Sequence, residues 1–268
     1  MDLFSAALLG VVQGLTEFLP VSSSGHLILA REFFGWDPGR FGLAFDVACH
    51  VGTLLAVVAY FRTDVARLIA AAPGALSGRD GEWERLGRLI IVGTIPIVIV
   101  GGLFGDVIES WVRTPMVVAV NLVIGGIGLI WVERVGRKAR EARSLGFGEA
   151  LAIGIAQAAA LAPGLSRSGS TLTVSLFLGL RRDSAARFVF LMSLPAVFAV
   201  AVKEALELSG AGLVGVPLTV MAVGLVVSAV VGYVTVTYFL RFLVAHSLTV
   251  FAYYRFALAA VAFTWLLA

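Results

Sequence analysis

The chain has 268 residues, of which 59% are apolar and only 14% are charged. Soluble domains average about 25% charged residues, so this composition excludes an ordinary soluble protein and predicts an integral membrane protein. The formal net charge of +3 does not indicate a nucleic-acid partner, because the placement of basic residues in a membrane protein is more informative than their sum.

The first element is an apolar segment, residues 3–19, that ends at Pro20 and resumes after a serine-rich turn. Its second arm has about a dozen residues, which as a helix would reach about 18 Å at 1.5 Å per residue. Because the hydrocarbon core of a bilayer is roughly 30 Å thick, this arm cannot cross it. The pattern predicts a re-entrant hairpin over residues 3–35, which is tolerated at membrane depth only where protein or water satisfies the broken backbone.

Two polar residues lie in the first arm of this hairpin. Gln13 and Glu17 are one helical turn apart, so both side chains project from the same face. Ionisable side chains in apolar segments are costly and are usually functional or paired. Carboxylate and amide oxygens are ligands for Mg²⁺ or Ca²⁺, so we expect a metal site at Gln13 and Glu17 and a catalytic role for Glu17. The alternative is that Glu17 only neutralises Arg167 of a second hairpin.

The turn after Pro20 places hydroxyls, a glycine and a histidine at the start of the second arm. Such a turn offers backbone N–H groups and a positive helix dipole to phosphate. Ser23 is the first candidate for a nucleophile, with His26 as its base or as the acid for the leaving group. A water activated by His26, and His26 itself, remain alternative nucleophiles. The expected phosphate-binding residues of this turn are Ser22, Ser24 and Gly25. The plainer alternative is that the serines cap the helix and the histidine packs beside it.

Six further apolar runs are long enough to cross a bilayer at about 20 residues each. They cover residues 42–61, 87–106, 116–133, 185–206, 214–240 and 249–267. Basic residues mark the cytoplasmic ends of spans, and most of the 20 Lys and Arg residues fall between these runs on one side: Arg62, Arg67, Arg79, Arg85, Arg88, Arg134, Arg137, Lys138, Arg140, Arg143, Arg181, Arg182, Arg187 and Arg241. The opposite side receives Arg31, Arg40, Arg113 and Lys203. Under this topology the first hairpin enters from outside the cell and the second from the cytoplasm.

Asp46 and His50 are polar residues one helical turn apart within the first predicted span. Two interpretations are open. They support the site or line the entry of a substrate, or they form a hydrogen-bonded contact between helices. Cys49, the single cysteine, excludes an intrachain disulfide bond and a cysteine-based metal site.

A second copy of the broken-helix pattern occurs in the other half of the chain. The apolar residues 150–162 end at Pro163, and a second re-entrant hairpin is predicted over residues 148–180. Five positions fall in register between the copies: Gly10 with Gly154, Gln13 with Gln157, Ser22 with Ser166, Ser24 with Ser168, and Gly25 with Gly169. A broken helix duplicated in both halves of an apolar chain points to a buried polar site near the bilayer midplane.

Arg167 occupies the position in the second turn that Ser23 occupies in the first. A guanidinium is permanently charged and its fork matches phosphate oxygens, so we expect Arg167 to act in catalysis as an oxyanion clamp. The alternative is an arginine that extends to the membrane surface, which fits poorly with the tip of a hairpin. The phosphate-binding residues expected around it are Ser166, Ser168, Gly169 and Thr171.

These elements predict an all-α integral membrane protein with about six transmembrane helices and two re-entrant helical hairpins. Residues 1–268 form one membrane domain with an inverted internal repeat, of which repeat one is about 1–134 and repeat two about 147–268. Arg88–Pro96 resembles Arg187–Pro195 at a different offset from the hairpins, so the first half is expected to carry extra residues that include the span at 42–61. Near the end of the chain, Arg255 is interpreted as an interfacial anchor.

These motifs together resemble the undecaprenyl-diphosphate phosphatase family, also called bacitracin resistance proteins, over essentially the whole chain. Gln13–His26 matches one signature of that family, Pro163–Gly169 matches another, and Tyr254-Arg255 matches its Tyr-Arg near the C-terminus. Gln13 stands where the commonest form has Glu, which leaves one fewer negative charge for a metal.

The resemblance implies hydrolysis of the terminal phosphate of a C55 polyprenyl diphosphate, with a divalent cation, to recycle the lipid carrier of peptidoglycan synthesis and confer bacitracin resistance. It further implies a multi-pass protein of the bacterial plasma membrane whose site faces the outer, periplasmic side. The partners are then the lipid substrate and membrane lipids, and a homodimer is possible.

Two other functions are weighed against hydrolysis by this family. A lipid transporter or flippase also uses inverted repeats and broken helices and could bind a lipid phosphate without cleaving it. A second group of membrane lipid phosphatases has a Ser-Gly-His element such as Ser24–His26, but it needs a His and an Asp soon after a later Ser-Arg. The next histidine after Arg167 is His246, which argues against that group.

Overall fold

The computed structural model of the chain describes residues 3–36, 42–211 and 217–267, which form α-helices and short turns. Eleven α-helices lie in these residues: α1 Leu3–Thr16, α2 Ser23–Phe34, α3 Leu43–Tyr60, α4 Arg62–Leu76, α5 Glu82–Val107, α6 Pro115–Val135, α7 Phe147–Ala159, α8 Arg167–Phe177, α9 Arg182–Ala211, α10 Leu218–Ala245 and α11 Thr249–Leu267. The all-α prediction is confirmed. Arg40 and the start of the predicted span at residues 214–216 lie outside the described residues.

Five of the helices are long and apolar enough to cross a membrane: α5, α6, α9, α10 and α11. They correspond to five of the six predicted spans. The remaining predicted span, residues 42–61, is α3, which reaches the required length and composition together with α4 across a bend of 88°. Large apolar side chains such as Leu103, Trp111 and Tyr238 are 71%, 78% and 65% exposed, as expected for a surface that faces lipid.

Helix α4 was not predicted, because its arginines were assigned to a loop between two spans. Residues 62–76 instead form an amphipathic helix whose Asp64 is buried and whose Ile69 is 69% exposed. The bend of 88° from α3 means that α4 runs along the membrane surface if α3 crosses the membrane. An amphipathic helix in this position buries its apolar face at the boundary between headgroups and acyl chains.

The two hairpins have arms that are too short to span. Helices α1, α2, α7 and α8 contain 14, 12, 13 and 11 residues, so the longest arm reaches about 21 Å at 1.5 Å per residue. In each hairpin the first arm is apolar and ends several residues before the second arm begins. These are the two broken helices that the serine-rich turns predict.

Each hairpin packs against helices that come from the other half of the chain. The first arm α1 lies on α10, while the first arm α7 lies on α5, and α6 packs on α11 and α3 on α9. Glycines allow the close approach: a Cβ at Gly154 would lie 2.3 Å from the carbonyl oxygen of Gly93. This exchange of hairpins fits an inverted repeat in which α5 matches α10, so the sequence match of Arg88–Pro96 with Arg187–Pro195, which pairs α5 with α9, was wrong.

Several arginines assigned to the cytoplasmic side meet at one end of the bundle. Arg85 of α5 donates to the main-chain carbonyls of Arg143 and Leu145, and Arg187 of α9 donates to Asp64 of α4 at 2.5 Å. Helix α4, the loop that follows α6 and the start of α9 therefore lie together, as the charge pattern predicts.

Candidate active site

The turns between the arms of the two hairpins have the same unusual backbone. Ser22 and Ser166 have φ angles of 73° and 71°, in the left-handed region that non-glycine residues rarely adopt. Each serine side chain accepts a hydrogen bond from the N–H of the glycine three residues later, at 3.3 Å from Gly25 and 3.1 Å from Gly169. Such strain persists only where the surrounding structure holds it, and it is concentrated at functional sites.

The tips of the two hairpins hold each other in place. The N–H of Gly164 donates to Ser22 Oγ at 3.1 Å, and Ser168 Oγ donates to the carbonyl oxygen of Leu19 at 2.9 Å. Gly164 has φ 95°, and a Cβ there would lie 2.5 Å from the carbonyl oxygen of Val118 in α6. The two halves of the chain therefore build one joint turn structure at the depth where both first arms end.

Glu17, which directly follows α1, connects the two hairpins through its carboxylate. The side chain is 5% exposed. Its Oε2 accepts hydrogen bonds from Ser23 Oγ at 2.6 Å and from Gln13 Nε2 at 2.9 Å, and its Oε1 is paired with the guanidinium of Arg167. His50 Nε2 of α3 lies 3.5 Å from Oε2. The structure thus brings together Gln13, Glu17, Ser23 and Arg167, and adds His50 to them.

Glu17, Ser23, His50 and Arg167 face a cavity of about 240 Å³, whereas Gln13 is fully buried and does not line it. The polar residues that line the cavity are Glu17, Ser22, Ser23, Ser24, Asp46, His50, Arg113, Gln157, Ser166 and Arg167. Hydroxyls, two carboxylates, an imidazole and two guanidinium groups therefore surround one small space beside two helix N-termini. That combination suits an anion and the transfer of a proton.

Comparison with known proteins identifies the family to which the chain belongs. Residues 6–261 match the family model described as bacitracin resistance protein BacA. The chain belongs to this family. The resemblance that the two turn motifs indicate is therefore confirmed.

Three relatives in the bacitracin resistance protein family carry the name undecaprenyl-diphosphatase. The chain is 50% identical over 263 residues to the protein from Rubrobacter xylanophilus, with 97% of each chain covered. It is 44% identical over 259 residues to the protein from Trichlorobacter lovleyi, with 96% of this chain and 94% of that protein covered. It is 44% identical over 269 residues to the protein from Moorella thermoacetica, with 99% of each covered.

In this member of the family, His26 is held away from the cavity. Its Nδ1 lies 2.7 Å from the carbonyl oxygen of Ser22, its Nε2 lies 2.8 Å from the hydroxyl of Tyr254, and the rings of His26 and Tyr254 are stacked at 3°. The histidine close to the carboxylate of Glu17 is His50. The expected contact of His26 with Ser23 as its base is therefore not formed, whereas the open interpretation of His50 as part of the site gains support.

Some expected phosphate ligands have their donors committed elsewhere. Thr171 Oγ1 donates to the carbonyl oxygen of Arg167 at 2.7 Å, Ser168 Oγ donates to Leu19, and the N–H of Gly169 caps its own helix. None of these three residues lines the cavity. Their hydrogen bonds shape the turn, while Ser166 and Arg167 face the cavity.

Asp46, in the first turn of α3, pairs with two arginines. Arg31 of α2 forms a bidentate pair with its carboxylate, and Arg113 donates to Asp46 Oδ2 at 3.1 Å. Arg31 and Asp46 are 6% and 4% exposed. The carbonyl oxygen of Asp46 also accepts from His50 Nδ1 at 2.8 Å. The sequence analysis assigned Arg31 and Arg113 to one side of the membrane but not to the site. The signal that could have linked them to Asp46 is that a buried carboxylate within a span requires a cationic partner.

The interpretation of Arg255 as an interfacial anchor was wrong, because its side chain is fully buried. Its guanidinium donates to main-chain carbonyl oxygens in both turns and in α6: Pro20, Gly164, Leu165, Asn121 and Leu122. A broken helix leaves carbonyls without intrahelical partners, and one planar cation with five N–H groups satisfies several of them together. The position of Arg255 near the start of a span does not reveal these hydrogen bonds, because they depend on where the two turns meet in the folded chain.

Proposed function

We propose that the chain hydrolyses undecaprenyl diphosphate to undecaprenyl phosphate and inorganic phosphate, which recycles the lipid carrier for peptidoglycan synthesis and confers resistance to bacitracin. The observation that carries this proposal is the carboxylate of Glu17, which contacts Ser23 of one hairpin and Arg167 of the other at the wall of one cavity. The names of the relatives support the choice of substrate.

In the proposed mechanism Ser23 is the nucleophile. Its Oγ attacks the terminal phosphorus while its proton passes to Glu17 Oε2, which lies 2.6 Å away. The bond from phosphorus to the bridging oxygen breaks, undecaprenyl phosphate leaves, and a phosphoserine remains. Water then attacks the phosphoserine, releases inorganic phosphate and restores the hydroxyl, with Glu17 and the nearby His50 exchanging the proton with solvent.

Arg167 supplies most of the fixed charge at the transferred group in this proposal. Phosphoryl transfer depends on alignment and on stabilising charge spread over the non-bridging oxygens. The Arg167 guanidinium, 22% exposed and anchored by Glu17, faces the same cavity as the hydroxyls of Ser166 and Ser23. It can therefore bind those oxygens without a large rearrangement.

The residues present also fit a divalent cation, Mg²⁺ or Ca²⁺. Gln13 Oε1 is a buried oxygen without a hydrogen-bond partner, and Gln13 lies beside the carboxylate of Glu17. In the described parts of the chain no three His, Cys, Asp or Glu side chains cluster as a metal site, which fits an ion such as Mg²⁺ that takes one or two protein ligands and completes its shell with substrate phosphates and water. We propose that Gln13 and Glu17 hold the ion, which when bound neutralises charge on the diphosphate.

We further propose that the site faces the outer side of the bacterial plasma membrane. At one end of the bundle lie Arg85, Arg143 and Arg187, and the positive-inside rule assigns this end to the cytoplasm. Arg31 and Arg113, which flank the cavity through Asp46, belong to the other set.

Phosphate release from undecaprenyl diphosphate by purified protein in detergent tests the function. We expect release with Mg²⁺ or Ca²⁺, little release with EDTA, and a loss of about 10²-fold or more in Ser23→Ala. Arg167→Lys keeps a cation beside Glu17 but removes the guanidinium fork, and it is expected to lower the rate clearly. Ser170→Ala, on the same helical turn as Arg167, and Arg241→Ala, an exposed arginine outside the cavity lining, are matched controls that keep wild-type rates.

The nucleophile is tested by single-turnover quenching. A phosphorylated Ser23 is expected in wild type. Water supplies one oxygen to phosphate by either route, so the configuration at a chiral terminal phosphorus decides between them: retention indicates a phosphoserine, whereas inversion without a trapped phosphoserine would show direct attack by water. No phosphate release from folded wild type with either metal would contradict hydrolysis and favour a transporter of lipid phosphates.

A further inference from the structure

The cavity at Glu17 continues into a second, mainly apolar cavity of about 360 Å³ between α5 and α9. The two cavities have six lining residues in common: Ser24, Ile97, Arg113, Leu161, Ala196 and Val200. The second cavity, here called the α5–α9 groove, therefore begins where the proposed phosphate site ends.

Small residues create the groove. Gly101, Gly102 and Gly105 of α5 line it, opposite Ala196 and Ala199 of α9. A Cβ added at Gly102 would meet no atom within 4 Å, so the space in front of this residue is open. The glycines here are not needed for helix contact, unlike Gly93, whose carbonyl oxygen lies against Gly154.

Two cations line the groove. Arg113 lines the groove and the phosphate cavity alike, is 26% exposed, and is held by Asp46. Lys203 of α9 also lines the groove, and its Nζ lies 3.7 Å from where a Cβ on Gly105 would be. An apolar channel that joins a polar anion site through an arginine is complementary to an amphiphile with an anionic head and a hydrocarbon tail.

We infer that the α5–α9 groove binds the part of an isoprenoid chain next to the diphosphate, and that Arg113 binds the phosphate that carries this chain. The inference rests on the proposed phosphatase function. From Ile97 to Ile108 the groove follows α5 for about 16 Å at 1.5 Å per residue. The groove therefore holds only the first units of a C55 chain, and the rest extends into lipid.

The test compares farnesyl diphosphate, which is long enough to enter the groove, with isopentenyl diphosphate, which carries one isoprenoid unit. Gly102→Trp fills the groove. Keeping even two methylenes of the chain out of the groove costs about 0.8 kcal/mol for each. We therefore expect kcat/KM for farnesyl diphosphate to fall about tenfold or more through a higher KM. For isopentenyl diphosphate, kcat/KM is expected to stay unchanged. Leu103→Trp, the adjacent residue that is 71% exposed and outside the groove, is the control and keeps both values.

Equilibrium binding of a non-hydrolysable farnesyl bisphosphonate gives a readout that does not need turnover. Weaker binding to Gly102→Trp than to Leu103→Trp supports the groove even if no diphosphate is cleaved, in which case only the phosphatase proposal fails. Equal binding to both variants overturns the groove, as does an equal loss of activity on both substrates. Gly102→Leu, a smaller change in the same open space, is expected to give the same pattern to a lesser degree.

Arg113→Gln tests the phosphate contact separately. Asp46 keeps its buried partner Arg31 in this variant, so the fold is retained. We expect KM to rise for both diphosphates by a similar factor, because each carries the phosphate to which its chain is attached. An unchanged KM for both substrates would remove Arg113 from the inference.

Discussion

The carboxylate of Glu17 is buried, and its charge is compensated by one guanidinium and several hydrogen bonds. Breaking a buried ion pair by removing one partner typically costs about 3–5 kcal/mol, because the other charge is left without compensation. Glu17→Ala would therefore confound catalysis with stability by leaving Arg167 unpaired. A substitution that keeps the size of the side chain leaves no cavity and so reduces this confounding effect.

Glu17→Gln is that substitution. The amide oxygen can still accept from Ser23, but the NH₂ group then opposes the Arg167 guanidinium, and the amide cannot take a proton. We expect kcat to fall about 10²–10⁴-fold, and the elution profile in size-exclusion chromatography shows whether the fold is retained. Steady-state phosphate release measures the rate. A Glu17→Gln protein with more than half of the wild-type kcat would show that Glu17 is not the proton acceptor.

His26 and Tyr254 form a second residue pair that a double-mutant cycle can examine. Their hydrogen bond of 2.8 Å and stacked rings predict strong coupling, since residues in one network show non-additive effects of about 0.5–3 kcal/mol. We expect His26→Gln and Tyr254→Phe each to lower the midpoint of thermal unfolding, and the double variant to lose less than the sum of the two. Additive losses would mean that the two residues act independently.

For single residues, the sequence predicted the members of the site that belong to local motifs. Gln13, Glu17, Ser23 and Arg167 lie in two recognisable turns, and the structure brings all four together. The role of His50 stayed open in the sequence analysis, because its place beside Glu17 depends on how α3 packs against the first hairpin.

At the level of whole helices, α3 and α10 are in close contact at a glycine of α3 and a serine of α10. A Cβ at Gly52 would lie 2.1 Å from Ser228 Oγ and 2.2 Å from the carbonyl oxygen of Leu225, and Ser228 Oγ donates to the carbonyl oxygen of Cys49 across the contact. Small residues let membrane helices approach closely. The position of α3, and hence of His50 and Asp46, depends on this contact.

Gly52→Val is expected to destabilise the protein by about 1–3 kcal/mol, the usual cost of overpacking. Thermal unfolding in detergent, followed by circular dichroism, measures the change. Gly148→Ala is the matched control, since a Cβ at Gly148 of α7 meets no atom within 4 Å, and it leaves the midpoint unchanged or raises it slightly. Equal midpoints for Gly52→Val and wild type would contradict the tight contact.

The sequence predicted a helix or hairpin correctly where one sequence pattern dominates the segment. Continuous apolar runs gave five spans, and Pro20 and Pro163 gave two hairpins. Helix α4 was missed because Arg62 and Arg67 were taken as a charged loop, although charges on one face are equally compatible with an amphipathic helix on the membrane surface.

For the whole molecule the inverted arrangement predicts which ends share a compartment. In a Cys49→Ala background, Ser144→Cys is expected to react with a membrane-impermeant maleimide only from the cytoplasmic side, and Ser110→Cys only from the outside. Both positions are exposed. Labelling of right-side-out and inside-out vesicles measures this, and reaction of both cysteines from one side would overturn the topology.

The repeat itself was visible in the sequence only at the turns. The strained serines Ser22 and Ser166 recur in sequence and in geometry, whereas the apolar helices around them carry little that distinguishes one span from another. Matching Arg88 with Arg187 therefore paired the wrong helices, and only the packing of α1 on α10 and α7 on α5 reveals the correspondence.

The buried guanidinium of Arg255 has a consequence for what happens after cleavage. In the described part of the chain its hydrogen bonds run to main-chain carbonyls and not to a carboxylate, so its full positive charge persists behind the two turns. In a region of low dielectric, such a charge acts on any anion in the neighbouring space. It favours the mono- or dianion of inorganic phosphate that remains once the lipid has departed, so we expect inorganic phosphate to stay in the site and its release, rather than bond breaking, to limit how fast the protein can be reused.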